Sequence, residues 1–249
     1  MYSKLRNTEF GIIDLLKSGW KIFQKNFLAI LIITLLVDFP LRLLIIALSA
    51  ATRDSMPNTL NLLNLLSIIV SIWTSIAVMM IVEKEILGSR IQATAALKKA
   101  VPRWSSAFTT GFLFVISLLI RFLLIIPGFI YIVNCAFFLH AVSLRNQGWK
   151  AALEYSRNLV EGSFWKVFYI FFVMQLIIII FPTFIFVFLT AYILYTSNLA
   201  VQGDTLPIYA NVIVALFSSI AGYLYVVTGT VFFLNMDYNY NETPEKRVF

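Results

Sequence analysis

The stretch SMPNTLNLLNLLSIIVSIWTSIAVMMIV, at residues 55–82, lies between Asp54 and Glu83 and contains no charged side chain. Its 28 residues exceed the roughly 20 that an α-helix needs to cross the hydrocarbon core of a bilayer. Because an uncharged, largely apolar run of this length is typical of a transmembrane helix, it predicts a membrane span over about 60–82.

Five further runs with few or no charges predict further spans. The first of them differs from the others because Asp38 and Arg42 lie inside it. The chain is therefore predicted to be an all-α polytopic membrane protein with six transmembrane helices, and residues 1–249 form one integral membrane domain. The predicted spans are 27–50, 60–82, 107–126, 128–144, 167–196 and 207–235.

The composition supports this class. Hydrophobic residues make up 60% of the chain and charged residues 12%, about half of the roughly 25% that is usual in soluble domains. These values exclude an ordinary soluble enzyme and a disordered chain. The single Cys and single His exclude an internal disulfide framework, a Cys-based zinc site and any site that needs two imidazoles. We expect no metal and no cofactor.

Basic residues predict the orientation. All of the 19 Lys and Arg residues except Arg42, Arg53 and Arg121 fall in segments that six spans would place on one side. Loops rich in Lys and Arg face the cytoplasm, so both termini are predicted to be cytoplasmic in a multi-pass protein of the bacterial cytoplasmic membrane. The net charge of +7 then favours anionic lipid head groups as partners rather than nucleic acid.

Three basic segments have apolar residues at helical spacing and predict amphipathic helices at the membrane interface, at 10–26, 93–104 and 149–160. Each is followed by a predicted membrane hairpin. In each, a Leu precedes a Phe by 11 residues, and the pairs are Leu16 and Phe27, Leu97 and Phe108, and Leu153 and Phe164. This common register predicts a pseudo-threefold repeat. The alternative is that basic amphipathic helices merely flank the spans.

The most specific stretch is AALEYSRNLVEGSFWKVF at 151–168, which follows LLIIPGFIYIVNCAFFLHAVSLRNQGWK at 123–150. Together they resemble the membrane domain of the bacterial glycerophosphodiester phosphodiesterase family and related uncharacterised six-span proteins. The resemblance implies a fold and no reaction, because the chemistry of that family belongs to a separate soluble barrel of about 250 residues. The residues that carry it are Pro127, Gly128, Ala152, Leu153, Ser156, Leu159, Gly162, Phe164 and Trp165.

Asp38 and Arg42 are the first candidate ligand-binding residues. They are four residues apart, so they share one helix face and can pair, and Pro40 between them is expected to kink the helix. Ionisable groups inside a span are costly and often functional, which favours binding of an anionic head group or a proton relay. The alternatives are a structural ion pair, or an Arg42 that extends to the interface.

Arg121 and His140 are the other candidates. Arg121 could extend to lipid phosphates, or it could turn inward and join Arg42 in a basic pocket for phosphate or carboxylate. His140 lies in the fourth predicted span, where a lone imidazole is more often a hydrogen-bonded helix contact than a ligand or relay. We predict no catalytic residue.

Three classes of function fit the sequence. The first is a non-enzymatic protein that handles a lipid or an amphipathic peptide, as a transport or export component or a lipid-binding scaffold. The second is an interaction protein, such as a bacteriocin-immunity factor, a transporter assembly partner or a homo-oligomer. An intramembrane enzyme is the least favoured, because Asp38 is the only carboxylate inside a predicted span.

Overall fold

The structure of the protein is a computed structural model, and the part of the chain that it describes consists of helices joined by short turns and loops. The described residues are 5–6, 8–52, 57–122, 125–180, 183–184, 187–188, 191 and 208–242. The helices are α1 (Ile12–Lys25), α2 (Phe27–Ile33), α3 (Phe39–Thr52), α4 (Pro57–Ile86), α5 (Ala93–Phe122), α6 (Ile125–Asn134), α7 (Phe138–Arg145), α8 (Trp149–Val160), α9 (Phe164–Met174) and α10 (Ile208–Glu242).

Five helical stretches are long and apolar enough to cross a membrane: Phe27–Ser49, Asn58–Ile86, Ala93–Arg121, Ile126–Arg145 and Val212–Tyr240. A sixth is present if Trp149–Val160 and Phe164–Ile180, which are bent by 101° at their junction, count as one span. The prediction of an all-α chain with several helices long and apolar enough to cross a membrane is therefore confirmed in the described residues. The far end of the predicted span 167–196 lies largely outside the described residues.

The pseudo-threefold repeat stays a prediction, and its second copy differs from the expectation. The predicted amphipathic segment 93–104 is not a separate helix, because α5 continues through Pro102 to Phe122 without a break. In the third copy, Gly162 has a φ of +78° and follows the end of α8, as glycine commonly does at a helix terminus. No glycine lies between 93 and 110. The second copy therefore has no glycine that could end the helix after the predicted segment 93–104.

A π-helical segment, Thr34–Asp38, joins α2 to α3 just before Pro40. A proline inside an α-helix has no N–H to donate and its ring clashes with the carbonyl four residues earlier. A wider π turn relieves this conflict without ending the helix. A second π-helical segment, Gln175–Ile180, follows α9.

The helices pack tightly at one end of the molecule and more loosely at the other. Residues 76–82 of α4 and 227–235 of α10 are buried at every position, as expected for helices surrounded by others. The opposite half of α4 exposes Leu62 by 69% and Leu65 by 59%. We call the tightly packed end the charged end, because the ionised side chains gathered there are Lys25, Glu83, Glu85, Arg145 and Asp237.

The N-terminal segment is attached to the charged end through α10. The buried side chain of Asn235 accepts a hydrogen bond from the Phe10 N–H at 3.0 Å and donates to the carbonyls of Leu5 and Thr8 at 2.8 Å. Helix α1 then runs along α10, where Gly19 lies against Thr228. The amphipathic helix predicted at 10–26 thus packs one of its faces on protein.

Gly19→Ala tests the contact between α1 and α10. An added Cβ would lie 2.9 Å from the Thr228 Cβ, and forced overpacking of this kind typically costs about 1–3 kcal/mol. We expect a lower thermal unfolding midpoint for the purified protein in detergent. Gly111→Ala is the matched control, because a Cβ there meets nothing within 4 Å. Equal midpoints for both variants would contradict the close contact.

Candidate functional site

An ion-pair network joins four helices at the charged end. Arg145, at the end of α7, donates from Nε to Asp237 of α10 at 2.9 Å and from a terminal nitrogen to Glu83 of α4 at 2.7 Å. The hydroxyl of Tyr155, on α8, donates to the second carboxylate oxygen of Asp237. Asp237 is only 1% exposed, and a carboxylate so deeply buried needs a cation and hydrogen bonds together.

Sequence reasoning missed this network. Arg145 and Asp237 are 92 residues apart, and Arg145 and Glu83 are 62 apart, so no local spacing connects them. In the sequence each of these residues follows a long apolar run, where it indicates the end of a span and, for Arg145, the orientation of the chain. Because Asp237 is already bonded from both sides, we assign the network to structure rather than to ligand binding.

Asp38 lies within the span Phe27–Ser49 and is 7% exposed. The Tyr223 hydroxyl of α10 donates to one carboxylate oxygen, and the Thr74 hydroxyl of α4 lies 3.4 Å from the other. Arg42 forms no contact ion pair with this carboxylate, although its charge acts on the carboxylate at longer range. The pair expected from the four-residue spacing is thus not made, since Asp38 is the last residue of the π-helical segment and the regular α-helical register does not hold across it.

Arg121 turns back along α5 and does not extend away from the molecule. One terminal nitrogen donates to the Ser117 carbonyl at 3.3 Å, and the guanidinium carbon lies 4.2 Å from the centre of the Tyr131 ring. Arg121 lines a cavity of about 460 Å³, whereas Arg42 lines a different one of about 380 Å³. The common pocket that the sequence suggested for the two arginines therefore does not form.

The cavity at Arg121 is an open groove between α5, α6 and α8, and we call it the basic groove. Of the described residues that line it, three are cations and one, Glu154, is a carboxylate. None of the three forms an ion pair with Glu154. Leu113, Ile130 and Leu153 supply apolar surface between the charges. The bordering cations are Arg121, Lys150 and Arg157.

Two of the residues that carry the family resemblance, Pro127 and Leu153, line the basic groove. The buried hydroxyl of Ser156 accepts from the Phe137 N–H at 3.0 Å and donates to the Asn134 carbonyl at 2.8 Å. Ser156 thereby bonds both sides of the break between α6 and α7. Of the others, Gly128, Ala152 and Leu159 are buried, and Phe164 and Trp165 meet edge to face.

His140 lies apart from the basic groove. Its ring stacks on Phe233 with centroids 5.3 Å apart and meets Phe137 edge to face at 5.9 Å. Neither ring nitrogen has a hydrogen-bond partner among the described residues. The expected hydrogen-bonded helix contact is thus a packing contact, and His140 does not meet Asp38, Arg42 or Arg121.

Among the described residues, no group of three or more His, Cys, Asp or Glu side chains could hold a metal ion. No family model, curated protein or solved structure matches the chain. The resemblance to the phosphodiesterase membrane domain therefore stays a prediction. What the basic groove can do chemically is attract an anion to its cations while apolar surface contacts an attached chain.

Ser156→Ala tests whether the Ser156 hydroxyl stabilises the break between α6 and α7. The variant leaves a buried N–H and a carbonyl without their partner, which costs about 1–3 kcal/mol. We expect the thermal unfolding midpoint in detergent to fall by several degrees. Ser105→Ala, at an exposed position of α5, is the control and should leave the midpoint unchanged. If Ser156→Ala also leaves it unchanged, the hydroxyl does not hold the break.

Proposed function

We propose that this is a non-enzymatic integral membrane protein that binds an anionic lipid, or another amphiphile with a phosphate or carboxylate, in the basic groove. The observation that carries the proposal is the placement of three cations around apolar surface without an ion pair to the nearby carboxylate. An amphiphile has a charged group that binds cations and a chain that contacts apolar surface, so it matches both parts of the groove. A cluster of charges with only a structural role does not require apolar surface between them.

Charge favours an anion in the groove. Lys150 and Arg157 are seven residues apart and so lie on the same face of α8, with Glu154 between them. Arg121 faces this helix from the end of α5. Guanidinium groups bind phosphate and carboxylate oxygens through paired N–H donors. Arg121 and Arg157 form no ion pair with a carboxylate among the described residues.

Size and lining favour an attached chain. The volume of about 460 Å³ falls within the range of roughly 300–1,000 Å³ that is typical of small-molecule sites. Leu113 of α5, Ile130 of α6 and Leu153 of α8 face it from three helices. Such surface suits part of an acyl chain, while the rest of the chain remains in the surrounding lipid.

The charge distribution supports a bacterial cytoplasmic membrane with both termini in the cytoplasm. Segment 145–166 contains Lys150 and Arg157, and the positive-inside rule assigns it to the cytoplasmic side. Anionic lipids give that leaflet a negative surface potential, which attracts basic residues near the membrane. The proposed ligand is therefore abundant where α8 would lie.

Native mass spectrometry of the purified protein, with identification of the lipids that remain bound, tests this proposal. We expect a defined anionic lipid in the wild type and at least a tenfold loss of that adduct in the double variant Lys150→Gln/Arg157→Gln. Removing two cations from the groove weakens its attraction for an anion. A loss of 1.4 kcal/mol in binding free energy lowers the affinity tenfold.

Lys98→Gln/Lys99→Gln is the matched control. It removes the same charge from exposed positions of α5 that do not line the groove, so the adduct should persist. Equal lipid retention in the wild type and both double variants would contradict the proposal and leave the charges of α8 with a structural role. Protein partners would then be the next class to examine.

A further inference from the structure

A second cavity lies between α3, α4 and α10, in the loosely packed half of the molecule away from the charged end. Its volume is about 380 Å³, and it shares no lining residue with the basic groove. We call it the Arg42 cavity. The polar side chains that line it are Arg42, Ser49, Asn64, Ser67 and Ser218.

Arg42 is the charged residue of this cavity, and it makes no hydrogen bond or ion pair within the part of the chain that the structure describes. The nearest carboxylate by sequence is Asp38, one turn earlier, and it is engaged by the hydroxyls of Tyr223 and Thr74. Among the residues that the structure describes, no carboxylate lines the cavity. The guanidinium N–H groups therefore make no hydrogen bond with the described residues, and Asp38 acts on the guanidinium only at longer range.

The lack of a contact partner is unusual for an arginine at the position of Arg42. It lies inside the span Phe27–Ser49 and is only partly exposed. Charged side chains within spans are expensive, so they normally face a partner or a polar cavity that serves a substrate. An Arg at the end of a span can reach the interface instead, but Arg42 has seven further residues of its span beyond it.

The lining distinguishes this cavity from the basic groove. Hydroxyl and amide groups come from three helices, with Ser49 on α3, Asn64 and Ser67 on α4 and Ser218 on α10. These groups suit a compact polar ligand better than an acyl chain. The Ser49 and Ser67 hydroxyls donate to carbonyls of their own helices. The donors that remain for an oxyanion are the guanidinium N–H groups, which bind its oxygens in pairs, with the Asn64 amide and the Ser218 hydroxyl beside them.

We propose that the Arg42 cavity is a second anion-binding site, which takes a phosphate-type oxyanion at the guanidinium of Arg42. The oxyanion can be a free ion or the phosphate of a lipid head group, and both present the same oxygens. This inference does not rest on the basic groove, because no helix borders both cavities.

The first experiment measures binding of radiolabelled inorganic phosphate to the detergent-purified full chain by scintillation proximity. We expect saturable binding to the wild type and at least a tenfold weaker affinity for Arg42→Gln. Arg42→Lys should fall between the two, because it keeps the charge and loses the paired donors. Lys98→Gln, at an exposed position, is the charge-matched control and should bind as the wild type does.

A second variant separates loss of the site from loss of the fold. Ala215→Leu adds bulk to the wall of the cavity and leaves Arg42 in place, so it should weaken phosphate binding by a similar factor. Each variant is compared with the wild type by elution volume and thermal midpoint. Phosphate binding that survives Ala215→Leu at wild-type affinity would place the anion elsewhere.

The second arm identifies the source of the oxyanion. The protein is reconstituted in nanodiscs of phosphatidylcholine with a minor fraction of phosphatidylglycerol, and retained phosphatidylglycerol is counted by mass spectrometry. If inorganic phosphate does not bind but Arg42→Gln retains fewer phosphatidylglycerol molecules, the head group is the ligand. If Arg42→Gln changes neither phosphate binding nor lipid retention, the proposal is wrong.

Discussion

The burial of Asp237 is the constraint on which the rest of the structure depends. Its carboxylate is 1% exposed, and an isolated charge in such a place is prohibitively costly. Arg145 and Tyr155 supply the compensation, and Arg145 in turn reaches Glu83. Because these partners sit on α7, α8 and α4, satisfying one carboxylate brings four helices to the same end of the molecule.

The two cavities follow from this arrangement. Where the charges hold the helices together, residues 76–82 and 227–235 are wholly buried. Away from that end the helices separate, and Arg42 faces the space that opens between three of them. On another side, the break between α6 and α7 and the sharp bend after α8 leave the basic groove. Candidate ligand sites thus lie where packing is loosest.

The spans were the predictable part of the fold. A bilayer imposes a minimum apolar length, so gaps between charges located four of the apolar helices to within about five residues at each end. The exception is the predicted span 107–126, whose helix begins at Ala93. Pro40 signalled a distortion near Asp38, although not its form as a π-helical segment. The turn at 135–137 has neither Gly nor Pro, and Ser156 from another helix bonds both of its sides, so tertiary contacts rather than local sequence account for it.

The sequence pointed to individual residues of the candidate sites but not to which of them lie together. Arg42 and Arg121 stood out because charge inside a span is rare, but which helix each faces depends on packing that no spacing encodes. Lys150 and Arg157 were counted only toward orientation, and their place in the basic groove needs α5 and α6 beside α8. The partners of Asp237 were missed for the same reason, since they are distant in sequence.

A double-mutant cycle on Arg145 and Asp237, followed by thermal unfolding midpoints in detergent, tests the role of the buried pair. Arg145→Gln alone leaves an uncompensated buried carboxylate, which typically costs about 3–5 kcal/mol. Arg145→Gln combined with Asp237→Asn should therefore be no less stable than Arg145→Gln alone. If the two losses instead add, the residues act independently, and their ion pair does not hold the charged end together.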